Sequence, residues 1–255
     1  MASNIRIERS DNVLTLTFDR PDKKNALLSS MYADATAALN EATEDNNVRA
    51  VIITGTEDSF TAGNDLRDFL ENPPMSLDAP VFKFMTCLSR FSKPVIAAVN
   101  GMAIGIGTTL LFHCDLAYAV PNAKFQLPFV NIAIVPEFAS TLLLPRTIGN
   151  ARAAEMLLLG EAFSAERAEN LGIINAVVPP IDLMKTAMDT ASKLAAKPPG
   201  ALRQAKALMR ADIEDISARI ALEAEAVRQS LTSAEFKEAA SAFLEKRAPD
   251  FSKFN

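Results

Sequence analysis

A turn rich in glycine, a second turn built on one glycine, and a lone carboxylate in an apolar stretch are where this chain could do chemistry. The first lies in Val99-Asn-Gly-Met-Ala-Ile-Gly-Ile-Gly-Thr-Thr-Leu-Leu111. It follows Pro94-Val-Ile-Ala-Ala-Val99, which reads as a buried strand, and leads into an apolar helix running towards Cys114. Gly101, Gly105 and Gly107 let main-chain N–H groups approach a ligand, and a helix start leaves such donors unpaired. That suits a developing negative charge, on a phosphate or an enolate. Close packing of a helix on a sheet explains the same glycines equally well. A dinucleotide fingerprint is excluded, because Leu110 stands at the third glycine position, and no Lys-Ser/Thr follows for a P-loop.

The second turn is Phe60-Thr-Ala-Gly-Asn-Asp-Leu66, with Gly63 at the bend. Alone it is an ordinary turn. Two such turns, each after a buried strand of one parallel sheet, would share the rim where ligands bind. Glu137 is the third place, the one charge in the run from Phe125 to Leu144, just before an apolar helix. An acid there balances the helix dipole, or serves as a general base whose pKa desolvation has raised.

Other polar residues read more simply. His113, the one histidine, sits among Leu111, Phe112 and Cys114 as a core histidine, and nothing nearby completes a zinc site. Cys87 and Cys114 are far apart and read as plain buried thiols in a reducing compartment. Glu41, Glu44 and Asp45 read as a solvated helix face, as do Glu223 and Glu225 with Arg219 and Arg228 nearby. A net charge of −5 argues against general affinity for nucleic acid, so an anionic ligand must meet local basic spots such as Lys23-Lys24 and Lys246-Arg247. No run is long enough to span a bilayer, the N-terminus lacks a signal core, and Ser-Lys-Phe-Asn255 is not a peroxisomal address. The cytoplasm is the simplest expectation.

The elements that must position these groups follow from pattern. At 255 residues and 49% hydrophobic content, the chain can bury a large core. Residues 13–18 alternate as a half-buried strand, and 29–43 carry Met31, Ala35, Ala38, Leu39 and Ala42 at helical spacing. Strands are expected at 50–54, 94–99, 115–120 and 173–178, with 124–127 extended. Helices are expected at 81–91, 139–148, 151–159 and 165–171, then almost continuously from Ile181. Thr232 with Glu235 has capping-box spacing for the last helix. Strand-plus-helix units stop at Val178, so an α/β core over 1–195 and a helical region over 196–255 are expected.

In this order the pieces resemble the enoyl-CoA hydratase/isomerase (crotonase) superfamily, over nearly the whole chain. The likeness rests on Arg20-Pro-Asp-Lys-Lys-Asn-Ala-Leu27, Phe60–Leu66, Lys93–Gly107, Asp115-Leu-Ala-Tyr-Ala119, Ala165–Val178 and Phe243-Leu-Glu-Lys-Arg247. It implies a spiral of ββα units, a C-terminal helical trimerisation region, and a homotrimer or dimer of trimers. It also implies an acyl-CoA thioester substrate, with no metal and no redox cofactor. By position, Asn64 and Ile106 match the two main-chain donors of the family's oxyanion hole. Lys23, Lys24, Ala26, Ala62, Asp65 and Leu66 match the lining of its CoA channel, and Lys246 a basic residue that meets a CoA phosphate. The two water-activating glutamates of the hydratases fall at Thr109 and Phe129, where neither can move a proton. Glu137 falls where the 3,2-enoyl-CoA isomerases place their single acid/base, and Ile106 between the glycines also resembles that branch. Phe138 and Ala139 stand where many isomerases carry small residues or glycine. The resemblance thus implies isomerisation of 3-enoyl-CoA to 2-trans-enoyl-CoA. Hydration or another crotonase-type reaction is the alternative, and a non-catalytic acyl-CoA binder a second one.

Overall fold

Asp11 and Asn12 both take left-handed φ values, 49° and 66°, and close a tight hairpin between β1 (Ile5–Ser10) and β2 (Val13–Phe18). The computed structural model describes residues 4–211 and 213–254. The first three residues, Asp212 and Asn255 lie outside the described residues, and with them the extreme ends of the terminal sequences considered above. After β2 come α1 (Ser29–Glu44), β3 (Ala50–Gly55), β4 (Ser59–Thr61), α2 (Leu66–Glu71) and α3 (Pro80–Arg90). Then follow β5 (Val95–Val99), β6 (Met102–Ile104) and α4 (Ile106–Thr109), and β7 (Leu116–Ala119), β8 (Lys124–Gln126), α5 (Ser140–Ile148) and α6 (Asn150–Leu159). The chain continues through β9 (Phe163–Ser164), α7 (Ala165–Asn170), β10 (Ala176–Val177), α8 (Leu183–Ala195), α9 (Pro199–Met209), α10 (Ile213–Thr232) and α11 (Ala234–Glu245).

Among the described residues the strands form two sheets, ordered β1-β2-β3-β5-β7-β10 and β4-β6-β8-β9. Connectivity explains the division. Residues 56–58, 100–101 and 120–123 are too short to make a parallel crossover, so the second strand of each unit must leave the first sheet. β3, β5 and β7 therefore pair in one sheet while β4, β6 and β8 pair in the other, all in parallel. Each turn of this ββα spiral adds one strand to each layer.

Several expectations shift. β2 is buried along its whole length, because α8 packs across β2, β3, β5 and β7 and covers the Thr15 and Thr17 face. β1 and β6 go beyond the elements expected, and α2 occupies part of the polar segment after Leu66. The helix expected from Gly107 to Cys114 is one α turn followed by a 3-10 turn at Leu110–His113, since the chain must re-enter the sheet at Leu116. The strand expected at 173–178 narrows to β10, because Ile173 N donates to the last turn of α7 at Ala168 O. Ser233, not Thr232, caps α11, accepting from Phe236 N at 3.0 Å, while the Thr232 hydroxyl donates to Gln229 O and closes α10.

The helical tail is fastened to the sheets by a polar cluster. Asp115 accepts from Val95 N at 2.7 Å, from Lys206 Nζ at 2.7 Å and from Arg210 at 3.2 Å. Lys206 also donates to Lys93 O, and Arg210 to His113 O. Burial pushes the Lys206 ammonium down to about 8, against the pull of Asp115. Among the described residues no helix is long and apolar enough to cross a membrane. Replacing Asp115 by Ala strands a buried ammonium, so Asp115→Ala is expected to lower unfolding free energy by about 3 kcal/mol, read from the urea midpoint.

Candidate active site

The two glycine turns lie at the ends of neighbouring strands. Gly63 follows β4 and Gly105 follows β6, and these strands pair in parallel. At Gly63, φ is 90° and an added Cβ would lie 2.8 Å from Ile104 O, so the turns touch and a side chain is excluded. Gly105, at φ 56° and ψ −117°, starts α4 from a conformation that only glycine holds without strain.

These turns decide where two amides point. Leu27 N donates to Gly63 O and Asp65 N donates to Leu27 O, so alternation along the extended chain turns Asn64 N–H the other way. Ile106 is the first residue of α4, whose amide has no intrahelical acceptor. Neither N–H has a hydrogen-bond partner among the described residues. Both residues line one cavity of about 530 Å³.

Glu137 lies behind these turns, 5% exposed. Its Oε1 accepts from Thr109 Oγ1 at 2.8 Å, and its Oε2 is buried without a partner. Burial pushes its pKa up to about 8; the Thr109 hydrogen bond pulls down and the charge of Glu223 pushes up. Tyr32, buried on α1, donates to Asn64 Oδ1. Burial and then the charge of Glu137 hold its phenol well above its ordinary pKa, so it remains a donor. Thr109 thus ties Glu137 to the helix of Ile106, while Tyr32, whose phenol feels the charge of Glu137, is bonded to Asn64. The carboxyl itself lines neither the main cavity nor a second one of about 390 Å³, which meets the first at Asn64, Asp65 and Phe69.

The loop that carries Glu137 is clamped. Phe138 and Ala139 take left-handed φ values of 62° and 55°, a cost on the order of 1–2 kcal/mol each for a residue with a Cβ. Glycine at these positions would be free of that strain. The His113 ring stacks on Phe138 at 3.9 Å between centroids, and its Nε2 lies 2.8 Å from Phe138 O. A carbonyl only accepts, so Nε2 carries the proton, and burial pushes the imidazole down to about 3 and keeps it neutral. On the other side, Glu223 of α10 accepts from Ala139 N and Thr141 N. Glu223 is therefore 5% exposed rather than part of a solvated face, because it caps a helix distant in sequence.

The residues expected around a CoA channel separate into two groups. Lys23, Ala26, Ala62, Asp65 and Leu66 line the larger cavity with Asn64 and Ile106. Lys24 and Lys246 do not: both are exposed and left-handed, Lys24 in the turn after Pro21 and Lys246 at the end of α11. Asp65 pairs with Arg20 at 2.7 Å and caps α2; burial raises its pKa, but the Arg20 hydrogen bond and charge together with the Asp68 and Arg67 amides outweigh that and lower it. Arg20, Arg67 and Tyr32 were not singled out from the sequence, although Arg20 and Arg67 join Lys23 at the cavity wall. The tail closes the apolar side through Phe236, Phe243 and Leu244 of α11 in the same chain.

Two layered, mostly parallel sheets, with a cavity at their strand ends and a helical tail folded over it, define an enzyme of the crotonase type. The enoyl-CoA hydratase/isomerase family model matches residues 8–254. The chain is 36% identical to the 1,2-epoxyphenylacetyl-CoA isomerase of Escherichia coli K12 over 247 residues, 94% of each chain. It is 35% identical to the 2,3-dehydroadipyl-CoA hydratase of the same strain over 251 residues, 98% of each. Its structure matches that of Pseudomonas aeruginosa OdaA with a TM-score of 0.93 and 48% identity, covering 95% of this chain and 99% of that one. The chain belongs to the enoyl-CoA hydratase/isomerase family, whose members process acyl-CoA thioesters by crotonase-type reactions.

Gly63→Ala would drive a Cβ into Ile104 O and force a left-handed strain. It is expected to lower stability by about 1–3 kcal/mol in a thermal melt, with acyl-CoA turnover lost more steeply than stability because the Asn64 amide moves.

Proposed function

We propose that the protein isomerises a 3-enoyl-CoA to the 2-trans-enoyl-CoA, with Glu137 as its single acid/base and the amides of Asn64 and Ile106 as its oxyanion hole. The observation that carries this reading is the buried Glu137 carboxyl, with one oxygen unpartnered and the other accepting from Thr109 on the short helix that Ile106 begins. An α-proton beside a thioester is too weakly acidic for an unaided carboxylate. Two N–H donors on the thioester oxygen stabilise the enolate, and losing one such donor costs about 100- to 1000-fold in rate. Glu137 takes the proton from the α carbon as electrons shift into the dienolate. It returns that proton at the γ carbon, which leaves the double bond between α and β. One carboxyl serves both steps because the proton it removes at the α carbon is the one it returns at the γ carbon, so none is gained or lost overall. Phe129, at the cavity wall, and the buried Phe138 keep water from the dienolate.

The acyl-CoA enters where Lys23, Arg20 and Arg67 meet the cavity, with Lys24 and Lys246 as outer basic contacts for phosphates. Assembly as a homotrimer or dimer of trimers is part of the same proposal, since Leu208, Met209 and Leu222 are exposed on the tail helices. A hydratase relative keeps hydration as the second reading. Against it, Thr109 is spent on Glu137 and Phe129 is apolar, so neither position offers a carboxyl to hold a water, and Asp65 at the cavity wall is paired with Arg20. Comparable rates on a 2-enoyl-CoA with water and on a 3-enoyl-CoA would favour hydration; isomerisation alone favours the proposal.

The base must be ionised to act, so the rate is expected to rise with pH through about 8. Glu137→Gln is expected to lower turnover roughly 100- to 10,000-fold while acyl-CoA binding persists. The same variant should melt higher than the parent at pH 9 and much less so at pH 5. A folded pKa of about 8 against 4.5 means the native carboxyl keeps its proton where the unfolded one has lost it, so stability falls as pH rises through that window. Glutamine removes that penalty. Thr109→Val deletes the hydrogen bond that favours the ionised form, so the acid limb of the pH–rate profile should move up and turnover at pH 7 should fall.

A further inference from the structure

We infer that Glu223, on tail helix α10, is a positioning residue for Glu137: its carboxylate caps the start of α5 and holds the left-handed pair that aims the base. This rests on Glu137 being the base.

α5 begins at Ser140 with Ala139 as its N-cap, and Ala139 has no side-chain oxygen to receive the first-turn amides. Glu223 supplies what the local sequence lacks. Its Oε2 accepts from Ala139 N at 2.6 Å, and its Oε1 accepts from Thr141 N at 3.1 Å and from the Thr141 hydroxyl at 2.5 Å. Every one of these contacts is a donor facing an acceptor, which fits the ionised carboxylate. Arg219, one turn earlier on α10, donates to Thr141 Oγ1 at 3.0 Å and so commits the hydroxyl hydrogen to Glu223.

Glu137 is separated from this cap only by Phe138 and Ala139, both strained. A strained pair persists only where its surroundings over-determine it. Here the carbonyl of Phe138 is held by His113 and the amide of Ala139 by Glu223, so the loop is gripped from both sides. Removing the amide grip lets the pair relax towards ordinary φ values, and the Glu137 side chain turns with it. The tail helix thereby acts on the reaction without touching substrate.

Charge gives the role a signature that packing alone would not produce. The titratable groups facing Glu137 are Tyr32 on α1, His113 after α4 and Glu223 on α10, with Thr109 as its neutral partner. Tyr32 and His113 are neutral, so Glu223 is the anion that disfavours ionisation of the base.

The test is steady-state isomerisation of a 3-enoyl-CoA, with α-proton exchange in heavy water, across pH for the parent, Glu223→Ala, Glu223→Gln and Glu137→Gln. Glu223→Ala should lower kcat about 10- to 100-fold with KM within about twofold. Its acid limb should move to lower pH. Glu223→Gln keeps one acceptor oxygen, so it should recover part of kcat while its acid limb stays at the lower pH. Parent-like kcat and an unmoved limb in both Glu223 variants, with Glu137→Gln inactive, would overturn the positioning role and leave the base intact. An active Glu137→Gln would overturn the assignment of the base instead. Should Glu223→Ala fail to fold, the limb of Glu223→Gln decides alone: moved supports the role, unmoved ends it.

Discussion

A carboxyl held out of water is the constraint that the surrounding architecture serves. An ionised group in an apolar setting is unstable unless its neighbours are fixed, and an unfixed neighbour would simply move to solvate it. Glu137 is given one hydrogen bond, from Thr109, and one bare oxygen. Everything around it is correspondingly stiff: a stacked histidine, two left-handed residues, and a cap brought from a distant helix. That stiffness opposes the collapse that would otherwise quench the carboxyl.

Stiffness on this scale needs both layers and the tail. The short sheet brings the ends of β4 and β6 together, and with them the two amides; the long sheet gives β3, β5 and β7 the buried length that the short strands lack. The tail contributes twice. Lys206 and Arg210 pin α9 to Asp115 at the edge of the sheets, and Glu223 on α10 reaches the site loop. α11 then supplies Phe236, Phe243 and Leu244 to the cavity wall. Core and tail are distinct in sequence pattern, yet the site draws residues from both.

Legibility in the sequence tracks locality. β3 and β5 are continuous apolar runs and α1 has a helical apolar face, so periodicity identified them. β6, β9 and β10 have two or three residues each, too few for any period, and depend on neighbours far along the chain. His113 among apolar residues was readable as a core histidine, and it is one. Glu223 was not readable: an acidic residue on a helix with Arg219 and Glu225 looks solvated, and nothing local announces two unpaired amides 82 and 84 residues away. Tyr32 was hidden in the same way, since its hydroxyl finds Asn64 only through the fold. Lys24 and Lys246, read from their motifs, lie exposed on left-handed backbone outside the cavity that Lys23 lines, a difference that the motifs alone do not show.

That relatives of near-equal identity bear the names of an isomerase and a hydratase has a physical reason here. In the proposed mechanism the donors that hold the oxyanion are main-chain groups, so their placement survives almost any side-chain change that keeps the two glycine turns. Reaction type is left to a few side chains around that fixed point. A carboxyl pair admits and orients water; a single buried carboxyl among phenylalanines excludes it and can only move a proton from one carbon to another. In the proposed reading Thr109 stands where one member of such a pair would be, and its hydroxyl donates to Glu137. Phe129 would stand at the other, and it lines the cavity with carbon. In that reading burial raises the pKa of the one remaining carboxyl, which would match its proton transfers better to a weak carbon acid.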